Sequence, residues 1–272
     1  MDAVLETRGL TIRFGGHVAV NAVTCQFQPG TLTAIVGPNG AGKTTYFNLM
    51  SGQLRATAGQ VLLYGEDVTR DPAPIRTRKG MGRAFQLTNL FPSLTVLENV
   101  RLAVQARAGL GLNLLSMWSH HRELIEKAEH FLQRVALVER RATLASELSH
   151  GDQRKLEVGI LLALEPAIFM FDEPTAGMSV DEVPVILDLI HEIKAQKDRT
   201  ILLVEHKMDV VRSLADRIIV LHQGALVADG LPAEVIASPI VQEAYLGLAR
   251  DTPRGEVEPA PIPAFPLAGE GG

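Results

Sequence analysis

Residues 37–44 combine three glycines with a lysine and a threonine at a spacing that suits phosphate binding. They read Gly-Pro-Asn-Gly-Ala-Gly-Lys-Thr and fit the pattern G-x-x-x-x-G-K-[ST]. Glycines let a backbone wrap closely around an anion, and the amides of such a loop can donate to it. We expect Lys43 to place a positive charge between the terminal phosphates of a nucleotide, and Thr44 to offer its hydroxyl to Mg²⁺. The residues predicted to contact the nucleotide here are Gly37, Pro38, Asn39, Gly40, Ala41, Gly42, Lys43, Thr44 and Thr45. The alternative is a glycine-rich turn that happens to carry a lysine.

Two adjacent acids, Asp172 and Glu173, follow four apolar residues. A buried strand at 168–171 would deliver both carboxylates to its carboxyl end, where parallel sheets bind their ligands. We expect Asp172 to hold Mg²⁺ through water and Glu173 to polarise the water that attacks the γ-phosphate. Taken alone, the pair could equally be two acids that end a strand.

Four further residues carry weaker signals. Ser149 and Gly151 precede a helix predicted to begin at Gln153, where they can donate to an anion or serve only as a helix cap. His206 follows a predicted strand and could reach a phosphate, although a lone histidine is more often a packed or surface residue. Gln86 could approach Mg²⁺ or the attacking water, but a lone glutamine carries no signal.

The elements that must position these groups alternate between strands and helices. The predicted strands span residues 4–8, 19–27, 32–36, 59–65, 168–171, 200–204, 217–222 and 225–228, and the predicted helices span residues 94–107, 119–136, 153–164, 183–195 and 207–215. Continuous apolar strands that alternate with helices favour a parallel sheet covered on both faces. The predicted fold class is α/β, with a helical insertion at about 88–165.

Composition limits the class of protein. The chain has 272 residues, a net charge of −5, 46% hydrophobic and 21% charged residues, so we expect a globular domain without a nucleic-acid partner. Its one cysteine, Cys25, cannot form an internal disulfide, which favours a reducing compartment. The amino-terminal residues lack a secretory signal, and no stretch of eighteen apolar residues is free of charge. Residues 251–272 hold five prolines and four glycines and are predicted to be disordered.

The order of these motifs resembles an ATP-binding-cassette ATPase over roughly residues 3–250. The resemblance implies a P-loop NTPase core with a mainly parallel sheet, an antiparallel amino-terminal β subdomain and an inserted helical subdomain, together forming one ATPase domain at 1–250. Residues 37–44 look like the family's Walker A, 148–152 like its signature sequence, and 168–172 like Walker B. The resemblance further implies these roles: Glu173 as catalytic base, His206 as switch histidine, Gln86 as Q-loop glutamine, Ser149 and Gly151 as phosphate contacts, and Phe14 as an aromatic stacked on adenine. Phe14 could instead be a core aromatic.

Some positions depart from the family pattern. The signature usually reads Leu-Ser-Gly-Gly-Gln, whereas this chain has His150 and Asp152 at its third and fifth positions. Lys207 stands where an acid often follows the switch histidine. None of these departures removes a predicted catalytic group, so we expect a working ATPase.

Further segments look like the ATPase subunits of branched-chain amino-acid importers. They are residues 14–20, 80–86, 105–121, 204–211 and 241–247. Residues 148–151 also resemble the related importers of urea and short-chain amides. Because the ATPase does not touch the substrate, uptake of branched-chain or other hydrophobic amino acids, of urea and of short-chain amides all stay open. Lipid transport and a soluble cassette protein that acts on ribosomes or DNA stay open as well.

The resemblance implies ATP and Mg²⁺ as cofactors and several protein partners. These are a second ATPase subunit in a homodimer or heterodimer, two transmembrane permease subunits that hold the chain at the cytoplasmic face of the membrane and, indirectly, a periplasmic or extracellular solute-binding protein. Leu87, Leu90 and Phe91, beside Gln86, are expected either to receive a coupling helix of a permease or to pack in the core.

Overall fold

The protein, described by a computed structural model over residues 2–84, 90–110 and 122–246, is built on two β-sheets with helices packed against them. A four-stranded antiparallel sheet has the order β2-β1-β4-β5, and a six-stranded sheet has the order β10-β9-β3-β8-β7-β6. The strands are β1 Leu5–Phe14, β2 His17–Phe27, β3 Leu32–Val36, β4 Ala58–Leu63, β5 Glu66–Asp67, β6 Met81–Ala84, β7 Ile168–Asp172, β8 Thr200–Val204, β9 Arg217–His222 and β10 Ala225–Gly230.

The larger sheet explains why the chain carries continuous apolar runs. Every residue of β3, β7 and β8 is buried, and these strands run parallel to one another and to β9 and β6, while β10 pairs antiparallel with β9. Parallel strands that are covered on both faces need apolar side chains on both faces. Their carboxyl ends share one edge, so the segments after β3, β7 and β8 are brought together there.

The helices pack against the sheets, and three of them, which follow one another between β6 and β7, pack together as a helical group. The helices are α1 Lys43–Ser51, α2 Ala73–Arg78, α3 Val96–Arg107, α4 Arg122–Arg134, α5 His150–Ala163, α6 Val183–Ala195, α7 Met208–Leu214, α8 Pro232–Ala237 and α9 Pro239–Leu246. Helices α3, α4 and α5 lie between β6 and β7 in the chain and share one hydrophobic cluster with the sheet. Thr95 and Glu98 start α3 with reciprocal side-chain to backbone hydrogen bonds of 3.2 and 3.0 Å, a capping box. Within the ranges that the structure describes, no helix combines the length and apolar character needed to cross a membrane.

Helix α1 joins the two sheets. Tyr46, Phe47 and Met50 are fully buried in a cluster that takes side chains from both sheets, and the Tyr46 hydroxyl lies 2.8 Å from that of Thr7 on β1. Burial of such side chains contributes about 1.5–3 kcal/mol each. The helix that follows residues 37–42 is therefore held in the core by its buried apolar side chains and by the hydrogen bond between Tyr46 and Thr7.

The α/β fold class predicted from the sequence is confirmed, with a mainly parallel sheet, an antiparallel amino-terminal sheet and a helical group between β6 and β7. Several details differ. Strand β1 continues to Phe14 instead of ending at residue 8, and strand β5 and helices α8 and α9 were not predicted. Helix α5 begins at His150 rather than at Gln153, because Ser149 supplies the cap. Strand β6 and helix α2 were not predicted, since Met-Gly-Arg-Ala has no strand pattern of its own and becomes a strand by pairing with β7. The domain limits, the insertion at 88–165 and the tail at 251–272 stay predictions.

Candidate functional site

The loop between β3 and α1 wraps tightly around the start of the helix. Gly42 precedes α1 with a φ of 94°, and a Cβ placed on it would lie 2.4 Å from the backbone oxygen of Ala19. Both the left-handed backbone and the close approach therefore exclude a side chain. The first amides of α1 have no partner within the helix, so they are available to an anion in front of it.

Lys43 extends back across this loop. Its Nζ donates to the carbonyl oxygen of Gly37 at 2.7 Å and to that of Pro38 at 3.0 Å. Burial lowers the pKa of Lys43, and the carboxylates of Glu173 and Asp172 oppose that shift. The loop thus holds a partly desolvated cation next to two acids, an arrangement that attracts a polyanion and its counter-cation.

An open cleft of about 420 Å³ lies over the loop, within the size range of small-molecule sites. Its described lining is Phe14, His17, Ala19, Asn39, Gly40, Ala41, Gly42, Lys43, Thr44, Thr45 and Glu173. Phe14 is 51% exposed, so it is not a core aromatic, and its ring is available to a flat ligand. His17 also lines the cleft but was not predicted as a site residue. It pairs with Phe14 across the β1–β2 hairpin, and the two glycines at 15–16 could have indicated that pairing.

Asp172 ends β7 in a buried ion pair that the sequence did not predict. The Arg83 guanidinium on the neighbouring strand β6 donates to Asp172 Oδ2 at 2.8 Å, and also to Asn48, Ser51 and Gln53 at the end of α1. Burial raises the pKa of Asp172, and Arg83 opposes that rise. Arg83 therefore fixes the carboxylate relative to α1.

The other oxygen of Asp172 supplies a test for Mg²⁺. Its Oδ1 is buried and accepts no hydrogen bond from any residue in the described ranges. An acceptor of this kind needs a donor or a cation. No group of three His, Cys, Asp or Glu side chains clusters as a metal site in those ranges, but Mg²⁺ beside a nucleotide commonly takes only one or two carboxylates and completes its shell with phosphate and water. Asp172 and Thr44 fit that pattern.

Glu173 and His206 face each other across the ends of β7 and β8. Glu173 has a positive φ of 49°, and its amide donates to the carbonyl of Val204 at 2.9 Å. A positive φ is uncommon for a non-glycine residue, although six others among the described residues share it. The Glu173 Oε1 lies 3.8 Å from His206 Nδ1, and His206 is half exposed. Glu205, which directly follows β8 as Asp172 ends β7, is buried beside them and was missed as a site residue.

Ser149 and Gly151 lie apart from this group. The Ser149 hydroxyl accepts a hydrogen bond from the Asp152 amide at 3.1 Å and caps α5. A Cβ on Gly151 would lie 2.2 Å from Glu182 Oε2, so the signature helix closely approaches that carboxylate. Neither residue is among the described residues that line the cleft. The structure shows Ser149 as the cap of α5, while a phosphate contact at Ser149 and Gly151 stays a prediction.

The remaining predicted positions lie in or next to residues 85–89, between the first two ranges that the structure describes. Gln86 and Leu87 fall outside the described residues. Leu90 is half-buried and packs against the helical cluster, in agreement with core packing, whereas Phe91 is 55% exposed. Of this predicted surface, Phe91 alone among the described residues is a largely exposed apolar side chain.

Comparison with known proteins agrees with this geometry. The family described as "ABC transporter" matches residues 20–176, more than half of the chain, and the one described as "Branched-chain amino acid ATP-binding cassette transporter" matches residues 225–250. The chain is 39% identical to the high-affinity branched-chain amino acid transport ATP-binding protein LivG of Escherichia coli K12 over 251 residues, which cover 90% of this chain and 98% of the relative.

A second relative and a solved structure agree with the first. BraF of Pseudomonas aeruginosa, with the same description, is 39% identical over 253 residues, at the same coverages of 90% and 98%. The crystal structure of the ADP conformation of an ATP-binding cassette of an ABC transporter superposes with a TM-score of 0.76 at 29% identity, and the match covers 91% of this chain and all of that one. The phosphate-binding loop, the acids at the end of β7 and these relatives lead to one conclusion: the chain belongs to the ABC transporter family and is an ATP-binding subunit of that family.

Proposed function

We propose that this chain is the ATP-hydrolysing subunit of an importer for branched-chain amino acids. The observation that carries the proposal is the near full-length likeness to LivG and BraF, which are described as branched-chain amino acid transport ATP-binding proteins. The match of residues 225–250 to a branched-chain amino acid transporter family supports the same substrate class, because it lies outside the general ATPase motifs.

In this proposal the cleft over residues 37–45 receives ATP. The amides at the start of α1 and the Lys43 ammonium bind the phosphates, and Phe14 offers its exposed ring to adenine. Thr44 and Asp172 would hold Mg²⁺, Asp172 through water, and Gln86 would approach it from the segment after β6. Bound with ATP, Mg²⁺ would neutralise charge on the terminal phosphates.

Hydrolysis needs a group that activates water beside the γ-phosphate. Glu173 lines the cleft next to Lys43 and Thr44, so its carboxylate is placed to accept the proton of an attacking water. The His206 Nδ1 lies 3.8 Å from Glu173 Oε1, so the imidazole would contact the γ-phosphate beside this carboxylate. Both roles depend on the two segments at the ends of β7 and β8 keeping this separation.

Ser149 and Gly151 support a site shared between two chains. They start α5 and are not among the described residues of the cleft, so in one copy they have no nucleotide to contact. We propose that each ATP lies between the phosphate-binding loop of one ATPase subunit and the signature sequence of a second, identical or similar one. Closing of this dimer on ATP and opening after hydrolysis would move two transmembrane permease subunits, which hold the chain at the cytoplasmic face of the membrane and receive substrate from a solute-binding protein.

Transport in the source organism tests the proposal. Cells that lack the gene are complemented with the wild-type chain or with Glu173→Gln, and uptake of labelled leucine, isoleucine and valine is compared with uptake of labelled urea. We expect the wild-type chain, and not Glu173→Gln, to restore uptake of the three amino acids. Restoration of urea uptake alone would assign the urea substrate instead, and restoration of neither would reject the proposed import function.

A further inference from the structure

Glu205 is a buried carboxylate to which the proposed mechanism gives no role. It directly follows β8 and its side chain is 1% exposed. An ionised carboxylate in such a place must be compensated by hydrogen bonds or charges. It accepts hydrogen bonds from the Thr175 hydroxyl at 2.8 Å, the His206 amide at 2.8 Å and the Lys207 amide at 3.2 Å. These donors come from two different segments, so Glu205 ties them together.

The first segment is the turn that follows β7. Thr175 lies two residues after Glu173 and is itself buried, and the turn is closed by a hydrogen bond of 3.0 Å from the Ala176 amide to the Glu173 carbonyl. The Glu173 amide donates in turn to Val204, the last residue of β8. Two hydrogen bonds therefore tie the backbone around Glu173 to the end of β8. One joins the Glu173 amide to the Val204 carbonyl, and the other joins the Thr175 hydroxyl to the Glu205 carboxylate.

The second segment carries His206. The two amides that Glu205 accepts are those of His206 and Lys207, which precede α7, and the helix has no side-chain cap of its own. The other carboxylate oxygen of Glu205 accepts the hydrogen bond from Thr175, so this one buried side chain links the segment after β7 to the segment after β8. The His206 Nδ1 lies 3.8 Å from Glu173 Oε1 and 3.7 Å from Glu205 Oε2.

We propose that Glu205 is a positioning residue that, through Thr175, holds His206 and Glu173 at the separation needed for ATP hydrolysis. The inference rests on the proposed roles of His206 and Glu173. It predicts that cutting the bond between the two segments lowers kcat while leaving the binding of ATP, which depends on the loop at 37–44, unchanged. A residue that only caps α7 would instead affect stability and leave kcat alone.

Thr175→Val tests the bridge with the least disturbance. Valine has the shape of threonine without its hydroxyl, so the bond to Glu205 is lost while both amides remain satisfied. In the complex of the full-length chain with its partner ATPase and permease subunits we expect kcat to fall by about tenfold or more, since a displacement of about 1 Å can cost that much, and KM for ATP to stay within about twofold. Thr175→Ser keeps the hydroxyl and should retain the wild-type kcat.

A matched control exists on β3. Thr33 is a fully buried threonine near the start of that strand, away from the phosphate-binding loop, and its hydroxyl has no hydrogen-bond partner in the described ranges. Thr33→Val makes the same chemical change and should leave both kcat and KM unchanged. Melting temperatures of all variants show whether a loss of kcat is accompanied by a loss of fold.

Two further variants keep the inference open to refutation. Glu205→Asp shortens the side chain by one methylene, so its carboxylate can follow the amides but withdraws from Thr175, and we expect the same loss of kcat as in Thr175→Val. In a His206→Ala background, Thr175→Val should cause a clearly smaller loss, because the separation between His206 and Glu173 no longer exists to be kept. This background comparison is a readout that a purely structural role would not change.

The outcomes separate the inference from the proposed function. If the wild-type chain hydrolyses ATP and Thr175→Val keeps its kcat, or if its loss is equally large in the His206→Ala background, the positioning role is overturned while the proposed function stands. If Thr175→Val fails to fold, an unchanged kcat in Glu205→Asp overturns the role in the same way. A wild-type chain that does not hydrolyse ATP even in complex with its partner ATPase and permease subunits overturns both.

Discussion

Replacement of Arg83 by methionine should expose the energetic role of the buried pair with Asp172. Both side chains are almost fully buried, with exposed fractions of 5% for Arg83 and 0% for Asp172, and the guanidinium–carboxylate distance is 2.8 Å. Methionine keeps much of the length and the apolar stem but removes the charge and all four donated hydrogen bonds. The Asp172 carboxylate would then be buried with no partner for either oxygen within the described residues.

The expected loss is large because one buried charge remains uncompensated. Removal of one partner of a buried ion pair costs about 3–5 kcal/mol. That is a substantial part of the total stability of a domain, about 5–15 kcal/mol. Asn48 and Gln53 also lose a donor, but neither is buried, so water can replace it. Ser51 is buried, and its hydroxyl still donates to the Asn48 carbonyl at 3.3 Å. Most of the penalty therefore belongs to Asp172.

The penalty should depend on pH in a defined direction. Burial already raises the pKa of Asp172 above its ordinary value of 3.8, and loss of Arg83 removes the charge that opposes this rise. A carboxyl whose folded pKa is raised holds its proton better in the folded than in the unfolded state, so stability is present at low pH and lost as pH rises through the folded pKa. The deficit of Arg83→Met relative to wild type should be greatest at pH 8 and shrink toward pH 5.

Urea unfolding at pH 8 and pH 5 measures this deficit in the full-length chain. Arg83→Met combined with Asp172→Asn removes both charges and should recover most of the lost stability, with little dependence on pH in this range. Arg8→Met is the matched control, because Arg8 forms a similar pair with Glu6 at 2.8 Å but at the surface, so its loss should hardly be measurable. A loss below about 1 kcal/mol in Arg83→Met, or one that is equal at both pH values, would refute the reasoning.

Three further predictions concern the cleft and the signature helix. Glu173→Gln should lower ATP turnover by about 100-fold or more while ATP binding, followed with a fluorescent analogue, stays within a few-fold; unchanged turnover would remove Glu173 as the general base. Lys43→Ala removes a charged donor and should weaken ATP binding by about 10–100-fold in calorimetry, and an unchanged affinity would contradict its phosphate contact. Gly151→Ala should lower turnover at only a small cost in melting temperature, because the new Cβ would lie 2.2 Å from the Glu182 Oε2, and this flexible side chain can move aside only by loosening its contacts with Lys155 and Ser179. Gly159→Ala is the comparison in the same helix, since its new Cβ would lie 3.3 Å from a methyl group of the buried Val135 and meets no charged group. Equal behaviour of the two glycine variants would show that the approach of Glu182 does not matter.

The glycine-lysine loop and the acids at 172–173 could be recognised from the sequence because each motif is local. A strand, a loop and a helix that follow one another in the chain must also follow one another in space. The short, largely apolar runs at 32–36, 168–171 and 200–204 likewise favoured buried strands, because continuous apolar runs of this length suit a parallel sheet that is covered on both faces.

Strand β6 and its arginine show why other features were not predictable. Met-Gly-Arg-Ala gives no strand signal, and Arg83 looks like a surface residue until β6 pairs with β7 and places it beside Asp172. In the sequence, Glu205 is an acid that follows a predicted strand, which is the same signal as Asp172. Its contact with Thr175 could not be predicted, because the two residues lie thirty positions apart in the chain. Such contacts depend on strand order, which local patterns do not specify.

The sequence by itself determined that a nucleotide phosphate site is present, that two acids stand at the end of a buried strand, and that the chain has an α/β fold of the ABC transporter family. Tertiary structure alone decided how these groups are held. The order β3-β8-β7-β6 brings the ends of separate strands to one edge, so that Arg83 fixes Asp172 and Glu205 fixes the segments of Glu173 and His206. The physical reason is that a motif needs only neighbours in the chain, whereas a buried charge needs a partner that only the folded sheet can bring to it.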